Sequence, residues 1–417
     1  MGHLLSIELV LVLTILFGLL TSKGESKTYW GDIEGLKSLK KGVTSTSITP
    51  GSCLSSWDFS VDPCDNLFSS KFSCGFRCDL VITGLKRVTD INLDRAGYTG
   101  SISSSTFTFP YLETLDFTDN SFTGVIPNSL SNLGRLRKLF LSGNSFSGYI
   151  PNSIGASLTQ LEELYLDNNH LQGSIPVNFN NLVSLKRLGL HQNKLNGWIP
   201  NLSALKNLVF IDVSNNLISG RIPETLPSTL VQILMRNNYL TGTLPVSLSH
   251  MGSLQVIDLS HNLLSGTVSS VFDHPSLQQV TLSHNKFNSL QEPRNLKSEL
   301  LALDISYNDL HGELPVFMAK MQKISALSLE KNKLTGMIHP EYAIKTVSPG
   351  TGVSPFVRLL LGGNYLHGPI PRPLIGLKPG SAVVSLIDNC LFRCPSKLFF
   401  CRGGVQKSLM ACKNLSP

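Results

Sequence analysis

An asparagine that recurs at nearly constant intervals restricts the fold of this chain more than any other feature. Neighbouring members of the series lie about 22–25 positions apart, and only the interval from Asn332 to Asn364 is clearly longer. Each asparagine closes a frame of leucine, two variable residues, leucine, one variable residue, leucine and two variable residues, and Ala96 replaces it in a degenerate first copy. Thirteen copies predict a solenoid that adds one turn per copy. The asparagines are Asn120, Asn144, Asn169, Asn193, Asn216, Asn238, Asn262, Asn285, Asn308, Asn332, Asn364 and Asn389.

The apolar residues of each copy predict which side chains form the core. Those three and five positions before the asparagine, such as Leu188 and Leu190, alternate as in a short strand and point to one face. Another apolar residue, such as Phe122 or Leu366, stands two positions after the asparagine and predicts the adjoining core layer. A buried asparagine amide is tolerable only when it is hydrogen-bonded. We therefore expect the asparagines to bridge backbone groups of adjacent turns.

A glycine stands four positions after the asparagine in ten of the eleven copies from Asn120 to Asn364, often within Gly-x-Ile-Pro. Glycine accepts a positive φ, while proline fixes φ and removes a backbone donor. The segment is therefore predicted to form a turn or a short extended stretch on one face of the coil. Ser289 replaces the glycine after Asn285, and we expect a locally irregular turn there.

The full pattern, L-x-x-L-x-L-x-x-N-x-L-x-G-x-I-P, resembles the plant-specific class of leucine-rich repeats found in receptor-like kinases, receptor-like proteins and polygalacturonase-inhibiting proteins. The resemblance covers about residues 29–412, and Ser56-Trp57 and Asp62-Pro63-Cys64 are similar to the N-terminal cap of that class. It implies an α/β solenoid, a leucine-rich-repeat horseshoe or superhelix of about 13 repeats, with a parallel concave sheet and disulfide caps at both ends. In the first cap, one helix face is expected to cover the first strand with Trp30, Ile33, Leu36 and Leu39.

The beginning of the chain, residues 1–24, predicts an export signal. An apolar run, Leu9–Leu20, precedes small and polar residues at 21–24. Such a run is too short to span a bilayer, which needs about 20 residues. We therefore expect cleavage near Gly24 or Glu25 and a protein secreted to the apoplast or cell wall. The predicted divisions are the signal (1–24), an N-terminal cap (25–87), the leucine-rich repeats (88–389) and a C-terminal disulfide cap (390–417).

Eight cysteines stand in two groups, one on either side of the repeats. An even number of cysteines in an exported chain predicts disulfides. The spacings of Cys74/Cys78 and Cys390/Cys394 also suit zinc, an alternative that export disfavours. Because strands about 4.8 Å apart would separate the two ends by tens of ångströms, each group is expected to pair internally, with the connectivity left open. The cysteines are Cys53, Cys64, Cys74, Cys78, Cys390, Cys394, Cys401 and Cys412.

The sequence offers no motif for catalysis. It contains no Gly-x-Ser-x-Gly elbow, no phosphate-binding glycine loop and no His-Glu-x-x-His. Aspartates stand four positions before several of the asparagines, and we interpret them as solvated strand decoration rather than as a carboxylate pair for glycoside hydrolysis. We therefore predict a protein that is not an enzyme and uses no cofactor or metal. These aspartates include Asp116, Asp212, Asp258 and Asp304.

The long interval between Asn332 and Asn364 holds about eight extra positions, around His339–Tyr342 and Pro349–Pro355. In receptor relatives, larger insertions can shape a ligand site. A short insertion rich in proline and glycine favours a longer surface loop instead.

Two Asn-Leu-Ser sequons, at Asn201 and Asn414, predict glycosylation. Asn201 follows Ile199-Pro200, outside the strand. A glycan there would mark that flank as a surface that binds no partner.

Two histidines, His261 and His284, take the same place on adjacent turns, one position before the asparagine. They form either a coupled pair, in which like charge opposes double protonation, or two independent exposed histidines.

Side chains six, four and two positions before each asparagine are predicted to lie on the concave face. Turns three to seven place aromatic and cationic residues there, whereas later turns mostly carry Ser, Thr, Ala and Asp. Tyrosine and arginine dominate many interfaces, and exposed aromatic residues favour a partner that covers them. The alternative is that these side chains pack along the strand ladder without a ligand. The predicted partner-binding residues are Lys138, Phe140, Tyr165, Arg187, His191, Phe210, Leu234 and Arg236.

These features predict a secreted, non-catalytic recognition protein of the plant apoplast or cell wall, acting in defence or developmental signalling. Its expected partner is an extracellular protein or peptide, with a receptor kinase ectodomain as one candidate. The net charge of +7 favours an acidic protein or an acidic wall polysaccharide over nucleic acid. The resemblance implies an alternative, inhibition of a cell-wall-degrading enzyme such as a polygalacturonase, and a wall-anchored protein that binds pectin is a third.

Overall fold

The computed structural model describes residues 27–82, 84–102, 107–269, 271–294 and 297–413. The predicted export signal and the sequon at Asn414 lie outside these residues. The chain divides into two compact units, one ending at Asn144 and the other beginning at Ser145. Each unit has its own run of parallel strands.

The first unit combines parallel repeat strands with one antiparallel strand. Its strands are β1 (Lys27–Thr28), β2 (Phe76–Ile82), β3 (Leu85–Asn92), β4 (Thr99–Ser101), β5 (Thr114–Asp116), β6 (Ser121–Val125) and β7 (Lys138–Phe140). Strand β3 pairs in parallel with β1 and β5, and β5 with β7, while β2 runs antiparallel to β3. Strands β4 and β6 pair on the flank. The helices are α1 (Trp30–Gly42) and α2 (Cys53–Ser56), with 3-10 turns at Ser45–Ser47, Cys64–Asn66 and Asn128–Asn132.

Helix α1 packs beside β3, but with a different face from the one predicted. Leu36 and Leu39 are buried as expected, whereas the Trp30 side chain is 70% exposed. Asp32 is buried instead, and its two carboxylate oxygens accept hydrogen bonds of 2.9 Å from Nε and Nη2 of Arg87. A buried carboxylate needs a charged, bidentate partner of this kind. The prediction was wrong for Trp30 because apolar spacing alone does not reveal a buried ion pair.

The second unit contains the longer run of repeats. Its strands are β8 (Ser145–Tyr149), β9 (Glu163–Tyr165), β10 (His170–Ser174), β11 (Arg187–Gly189), β12 (Lys194–Asn196), β13 (Phe210–Asp212), β14 (Ser219–Arg221), β15 (Gln232–Leu234), β16 (Tyr239–Gly242), β17 (Val256–Asp258), β18 (Leu263–Val268), β19 (Gln279–Thr281), β20 (Lys286–Leu290), β21 (Ala302–Asp304), β22 (His311–Glu313), β23 (Ala326–Ser328), β24 (Lys333–Thr335), β25 (Arg358–Leu360), β26 (His367–Gly368), β27 (Val383–Ser385) and β28 (Cys390–Leu391). The odd-numbered strands from β9 to β27 form one parallel sheet in sequence order. The even-numbered strands pair on the flank in four shorter sheets, β8-β10-β12, β14-β16-β18-β20, β22-β24 and β26-β28.

Short helices and 3-10 turns connect the flank strand of one repeat to the long-sheet strand of the next. The helices of this unit are α3 (Asn152–Ser157), α4 (Val316–Lys320), α5 (Pro340–Val347), α6 (Arg372–Ile375) and α7 (Leu409–Lys413). The 3-10 turns lie at Val177–Asn181, Val246–His250 and Phe399–Cys401. Most begin directly after the proline of Gly-x-Ile-Pro or its equivalent, because proline cannot continue the preceding strand pairing and is well suited to a helix start.

The asparagine ladder matches the prediction. Asn193 accepts a hydrogen bond at Oδ1 from the backbone N–H of Leu171 at 2.9 Å, and its Nδ2 donates to the carbonyl of Leu166 at 3.0 Å, both on the preceding turn. The same pair of bonds recurs at the following ladder positions through Asn389. Asn193 also donates to the carbonyl of Leu190 on its own turn at 3.2 Å. Because one buried amide thus satisfies backbone groups of two turns, its role is structural.

The residue before each asparagine adopts a left-handed backbone, a feature that was not predicted. At non-glycine positions of the second unit its φ lies between +52° and +55°. Asparagine and histidine tolerate this conformation, as at Asn215, Asn237 and His284, but Tyr307 is a bulky residue that seldom adopts it. The ladder bonds of the next residue require the tight turn whichever side chain is present. The turn therefore fixes the place at which these side chains leave the backbone.

The copy that lacks the glycine is irregular within a paired strand rather than at a turn. Ser289 lies inside β20, and the register between β18 and β20 shifts between Gly266 and Thr267. Thr267 pairs with Ser289 and Asn288 is passed over. The expected irregularity is therefore present as a β-bulge, in which one strand carries an extra residue.

The insertion between Asn332 and Asn364 contains helix α5 followed by a loop over 348–357, so its interpretation as a longer surface loop is confirmed for Pro349–Pro355 and was wrong for the part that begins at Pro340. Tyr342 is fully buried and its hydroxyl donates to the carbonyl of Pro315 at 2.7 Å. Lys345 is only 3% exposed, donates to the carbonyl of Met321, and places Nζ 4.7 Å from the centre of the Phe356 ring. Burial lowers the pKa of Lys345 to about 8. Proline at the first helical position and glutamate in the first turn are the sequence signals for this helix.

All eight cysteines pair within their own groups, as predicted. The bridges are Cys53–Cys74 and Cys64–Cys78 in the first unit, and Cys390–Cys412 and Cys394–Cys401 in the second. None of the helices in the described ranges is long and apolar enough to cross a membrane.

Candidate partner-binding surface

The strands of the long sheet bury their middle residue and turn the outer residues towards solvent. Leu188 in β11 is fully buried, while Arg187 beside it is exposed. Within each unit, the pattern places the predicted partner-binding residues on the solvent-facing side of their strands. Lys138 and Phe140 lie on β7 of the first unit, where both are half-buried on either side of buried Leu139. The other six predicted residues belong to the second unit.

Tyr165, Arg187 and Phe210 form a contiguous cluster on β9, β11 and β13. The Nε of Arg187 donates to the Tyr165 hydroxyl at 2.6 Å, and the guanidinium carbon lies 4.6 Å from the centre of the Phe210 ring. Gly189 makes room for this arrangement, since a Cβ there would lie 2.4 Å from a ring carbon of Tyr165. The cluster is therefore held in one arrangement by its own contacts. An arginine placed over an aromatic ring is also attracted to it directly.

His191 lies between two aspartates. Its Nε2 is 3.6 Å from Oδ2 of Asp167, and its Nδ1 is 3.3 Å from Oδ2 of Asp212. The buried Nδ1 has no aligned hydrogen bond. The amide of Asn168 approaches Nε2 at 3.4 Å. His191 is thus positioned by surrounding polar groups rather than by apolar packing.

Leu234 and Arg236 share a pocket with His191. The pocket is also lined by Asp212 and Asp258, which flank Leu234 in register on the two neighbouring strands. Six of the predicted residues therefore fall into two adjoining groups on β9–β15, and Asp212 contributes to the second group without having been predicted as part of the surface. The face is mixed in charge rather than uniformly cationic.

The aspartates interpreted as strand decoration have a defined backbone role. Oδ1 of Asp212 accepts from the N–H of Ser214 at 2.9 Å, and Asp258 and Asp304 make the same bond to the residue two positions on. In the first unit Asp116 does so with Thr118. Such side-chain turns stabilise the exit from the strand. The recurring Asp-x-Ser of the sequence was the available signal.

A second depression on the same sheet was not predicted. It lies across β19–β25, has a volume of about 400 Å³, and has a floor of small side chains that includes Thr281, Ala302 and Ser328. Arg358 and Glu330 stand among its lining residues. The small side chains at most lining positions, which are visible in the sequence, produce the depression.

Three of the left-handed residues, His261, His284 and Tyr307, lie on adjacent turns and stack their exposed rings. The ring centres of His261 and His284 are 4.0 Å apart and those of His284 and Tyr307 are 4.2 Å apart, with interplanar angles of 18° and 16°. Partial burial lowers the pKa of His284, the charge of His261 lowers it further, and Asp304 opposes both effects. The histidines are therefore a coupled pair, and Tyr307 is a third member that was not predicted.

Comparisons with known proteins agree with this geometry. Leucine rich repeat family models match residues 86–146 and 228–287, and a single-repeat model matches 160–182 and 207–228. The structure of the plant peptide hormone receptor RGFR1 in complex with RGF2 is 31% identical, with a TM-score of 0.63 over 70% of this chain. The repeats of this chain are therefore similar to leucine-rich repeats, and its solenoid is similar to that of a plant peptide hormone receptor.

Two further known proteins are similar over part of the chain. The TDR receptor structure shares the fold, with a TM-score of 0.65 and 24% identity over 77% of this chain. Protein STRUBBELIG-RECEPTOR FAMILY 1 of Arabidopsis thaliana is 45% identical over 53 residues, which are 13% of this chain and 7% of that protein. This leucine-rich-repeat chain covers 46% of the RGFR1 chain and 56% of the TDR chain, about half of each.

Two other expectations concern the leucine-rich-repeat scaffold outside the sheet face. Asn201 is exposed just beyond β12, where its Oδ1 accepts from the N–H of Ser203 at 2.9 Å, so its side chain is available for a glycan. Within the described residues, no group of three or more His, Cys, Asp or Glu side chains could hold a metal ion.

Proposed function

We propose that this protein is an extracellular recognition protein that binds a peptide or protein partner on the β9–β15 face of its second unit. The observation that carries the proposal is the cluster of Tyr165, Arg187 and Phe210, which is assembled before any partner arrives. Its similarity to RGFR1, a receptor whose structure contains the peptide hormone RGF2, supports a peptide as one class of partner.

The cluster suits recognition because little order has to be gained on binding. Tyr165 and Phe210 are half-buried against their neighbours, and Arg187 is fixed between them although it remains exposed. Immobilising a free side chain on binding costs about 0.5–1.5 kcal/mol, and here that cost is already met in the free protein. Aromatic and arginine side chains in such a position contribute most to binding interfaces.

The partner is expected to carry both an apolar anchor and charged groups. Arg187 and Arg236 are exposed and would bind carboxylates, whereas Asp212 and Asp258 beside Leu234 would oppose a purely anionic ligand. An apolar side chain seated between these charges fits the surface best. Charge complementarity of this kind sets orientation and specificity more than total affinity.

The decisive experiment captures partners from extracellular plant extracts on immobilised protein and measures their affinity. The triple variant Tyr165→Ala, Arg187→Glu, Phe210→Ala should lose binding by at least about a hundredfold, as expected for hot-spot side chains. The matched variant Val256→Ala, Gln279→Ala, Arg358→Glu changes residues that share the register of Arg187 and Phe210 farther along the sheet. Loss of binding in the matched variant alone would move the site to the second depression, and retention in both would place it off the sheet.

Secretion, the location in apoplast or cell wall, and action in defence or developmental signalling form the finer part of this proposal. Protein recovered from extracellular washing fluid should begin near Glu25 and carry a glycan on Asn201. Mass spectrometry of the N-terminal and Asn201 peptides measures both, and retention of residues 1–24 in the recovered protein would contradict export by signal cleavage.

A further inference from the structure

The C-terminal cap, residues 390–413, exposes apolar side chains more fully than any other part of the described chain. Val405, Leu409, Met410 and Phe392 have exposed fractions of 84%, 81%, 79% and 77%, the four highest among the large apolar side chains. Isolated exposed apolar residues are ordinary, but a group of them on one element marks an interaction surface.

These four side chains belong to one region of the cap. The Cys390–Cys412 bridge joins the segment that carries Phe392 to helix α7, which carries Leu409 and Met410. The segment before α7 returns along the last ladder turn, where the carbonyl of Val405 accepts from the N–H of Asp388 at 3.1 Å. The disulfide and this bond hold the four apolar side chains on neighbouring pieces of backbone.

The same cap is strongly cationic. It carries Arg393, Lys397, Arg402, Lys407 and Lys413 and no aspartate or glutamate. Lys407 is paired with Asp388 at 2.8 Å. Among the described residues, the other four cations have no carboxylate within 4.0 Å. Arg393 lies over the ring of Phe392 at 5.5 Å, so one of these cations lies directly against one of the exposed apolar side chains.

We propose that this cap surface docks on an anionic lipid bilayer, with Phe392, Leu409 and Met410 entering the headgroup region and the unpaired cations contacting lipid phosphates and carboxylates. Exposed apolar residues accompanied by lysine and arginine are the combination that binds such interfaces. The surface is independent of the β9–β15 face, so either proposal can stand without the other.

Charge argues against the two other occupants of such a surface. A second copy of the cap would bring one group of unpaired cations against another, with no carboxylate in residues 390–413 to compensate. A soluble polyanion such as an acidic polysaccharide would neutralise the cations but leave the apolar side chains exposed. Only an interface that is both anionic and apolar satisfies both kinds of group.

The experiment is flotation of the mature, disulfide-bonded chain with vesicles of phosphatidylcholine alone or mixed with phosphatidylserine. The wild type should bind the mixed vesicles at least about tenfold more tightly than the neutral ones, since each lysine or arginine near the surface contributes about fivefold. Binding should fall sharply in about 1 M NaCl, where the screening length is about 3 Å. Failure of the wild type to float with mixed vesicles would overturn the proposal.

Two cap variants and two matched controls assign the binding to this surface. The apolar cap variant combines Phe392→Ser, Leu409→Ser and Met410→Ser, and the cationic cap variant combines Arg393→Glu, Lys397→Glu and Arg402→Glu. Each triple variant should lower binding to mixed vesicles about tenfold or more. The apolar control is the triple variant Tyr149→Ser, Trp198→Ser, Val246→Ser, and the cationic control is the triple variant Lys206→Glu, Lys286→Glu, Lys320→Glu. Both alter side chains that are exposed elsewhere in the second unit. Each control should leave binding within about twofold of the wild type. Equal losses in cap and control variants would overturn the proposal.

Two further measurements separate the alternatives. Sedimentation velocity that shows a wild-type dimer and a monomeric apolar cap variant would assign the surface to a second copy. Binding to soluble polygalacturonate that accounts for all salt-sensitive binding, with vesicle flotation unaffected by the serine substitutions, would assign it to a polyanion. Matching thermal unfolding curves of the variants and the wild type show that the cap is still folded.

Discussion

The β9–β15 and β19–β25 parts of the long sheet share one backbone and differ only in what they display. Both pair in the same parallel register, and both bury the middle residue of each strand under the same asparagine ladder. The first presents Tyr165, Arg187 and Phe210 as an assembled cluster, whereas the second presents small side chains over a depression. The repeat therefore separates folding from recognition, because the positions that specify the turn are not those that vary on its surface.

The largest expected effect tests the shared part of this comparison. Replacing Asn193 under the first region or Asn308 under the second with alanine should lower the free energy of unfolding by a similar amount, about 3 kcal/mol, because each change leaves buried backbone groups of two turns unsatisfied. Chemical denaturation of both variants measures it. Gln192→Ala, a change at a neighbour outside the core, is the control and should change stability by less than about 0.5 kcal/mol. A large difference between the two asparagine variants would mean that the ladder does not support both regions alike.

The next effect concerns the insertion within the second region, between β24 and β25. Lys345→Met should raise the free energy of unfolding at neutral pH by about 1–3 kcal/mol, because methionine fills a similar volume without burying a charge. The native pKa of about 8 lies below the unfolded value of about 10.4, so the native protein loses stability as the pH falls from about 10.4 to about 8. Denaturation across that window should show this slope in the wild type and a smaller slope in the variant. An unchanged slope would mean that Lys345 keeps its ordinary pKa in the native protein.

The ladder was predictable from the sequence because its requirement is local and repeated. An asparagine in an otherwise apolar frame has one way to satisfy its amide, and the hydrogen bonds of Asn193 have that form. The internal pairing of the two cysteine groups was predictable for a similar reason, since a solenoid keeps its ends apart. In each case the period determined what each residue would contact.

The failures of prediction occurred where a single residue has no counterpart in other copies. The burial of Asp32 depends on Arg87, 55 residues away. This pair occurs once in the chain, so the repeat period could not predict it. Helix α5 was missed because an insertion has no repeat against which it can be aligned. The stacking of His284 on Tyr307 depends on the left-handed turn before each asparagine. The Gly, Asn and Asp residues at this position in other copies were the available signal for the turn, but not for the stack.

The candidate surface was predictable in part. Strand alternation correctly placed Tyr165, Arg187 and Phe210 on one face, but the role of Gly189 in admitting the Tyr165 ring needs coordinates. That a partner covers this face stays a proposal. From the sequence, the small side chains of the later turns favoured a partner site on the earlier turns. In the structure these small side chains form a depression that has polar groups around it.

A smaller effect, on partner affinity, is expected from filling the space above the strands in the β9–β15 region but not in the β19–β25 region. In Gly189→Ala the new Cβ would meet the Tyr165 ring at 2.4 Å, so the ring must move and lose its bond to Arg187. We expect partner affinity to fall about tenfold, with a change of less than about 1 kcal/mol in stability. Ser328→Thr adds one methyl group at the same strand position in the second region and should leave affinity unchanged. Calorimetric titration with the captured partner measures both, and an unaffected Gly189→Ala variant would show that the cluster need not be preassembled.

The smallest effect concerns the ring stack, which begins in the turns between the two regions. The pKa of His284 is lowered in the native protein, so the unfolded chain takes up the proton more readily. The stabilising contribution of the neutral ring is complete above the unfolded pKa of about 6.5 and is lost as the pH falls below it. His284→Gln should therefore flatten the dependence of the unfolding free energy on pH between mildly acidic and neutral conditions.

His250→Gln, a change at a histidine outside the stack, is the control and should preserve the wild-type slope. If both variants keep that slope, His284 titrates alike in the folded and unfolded chains and the stack has no role in the pH response. If only His284→Gln loses it, partner binding measured over the same range will show whether the β9–β15 face responds to pH with the stack or independently of it.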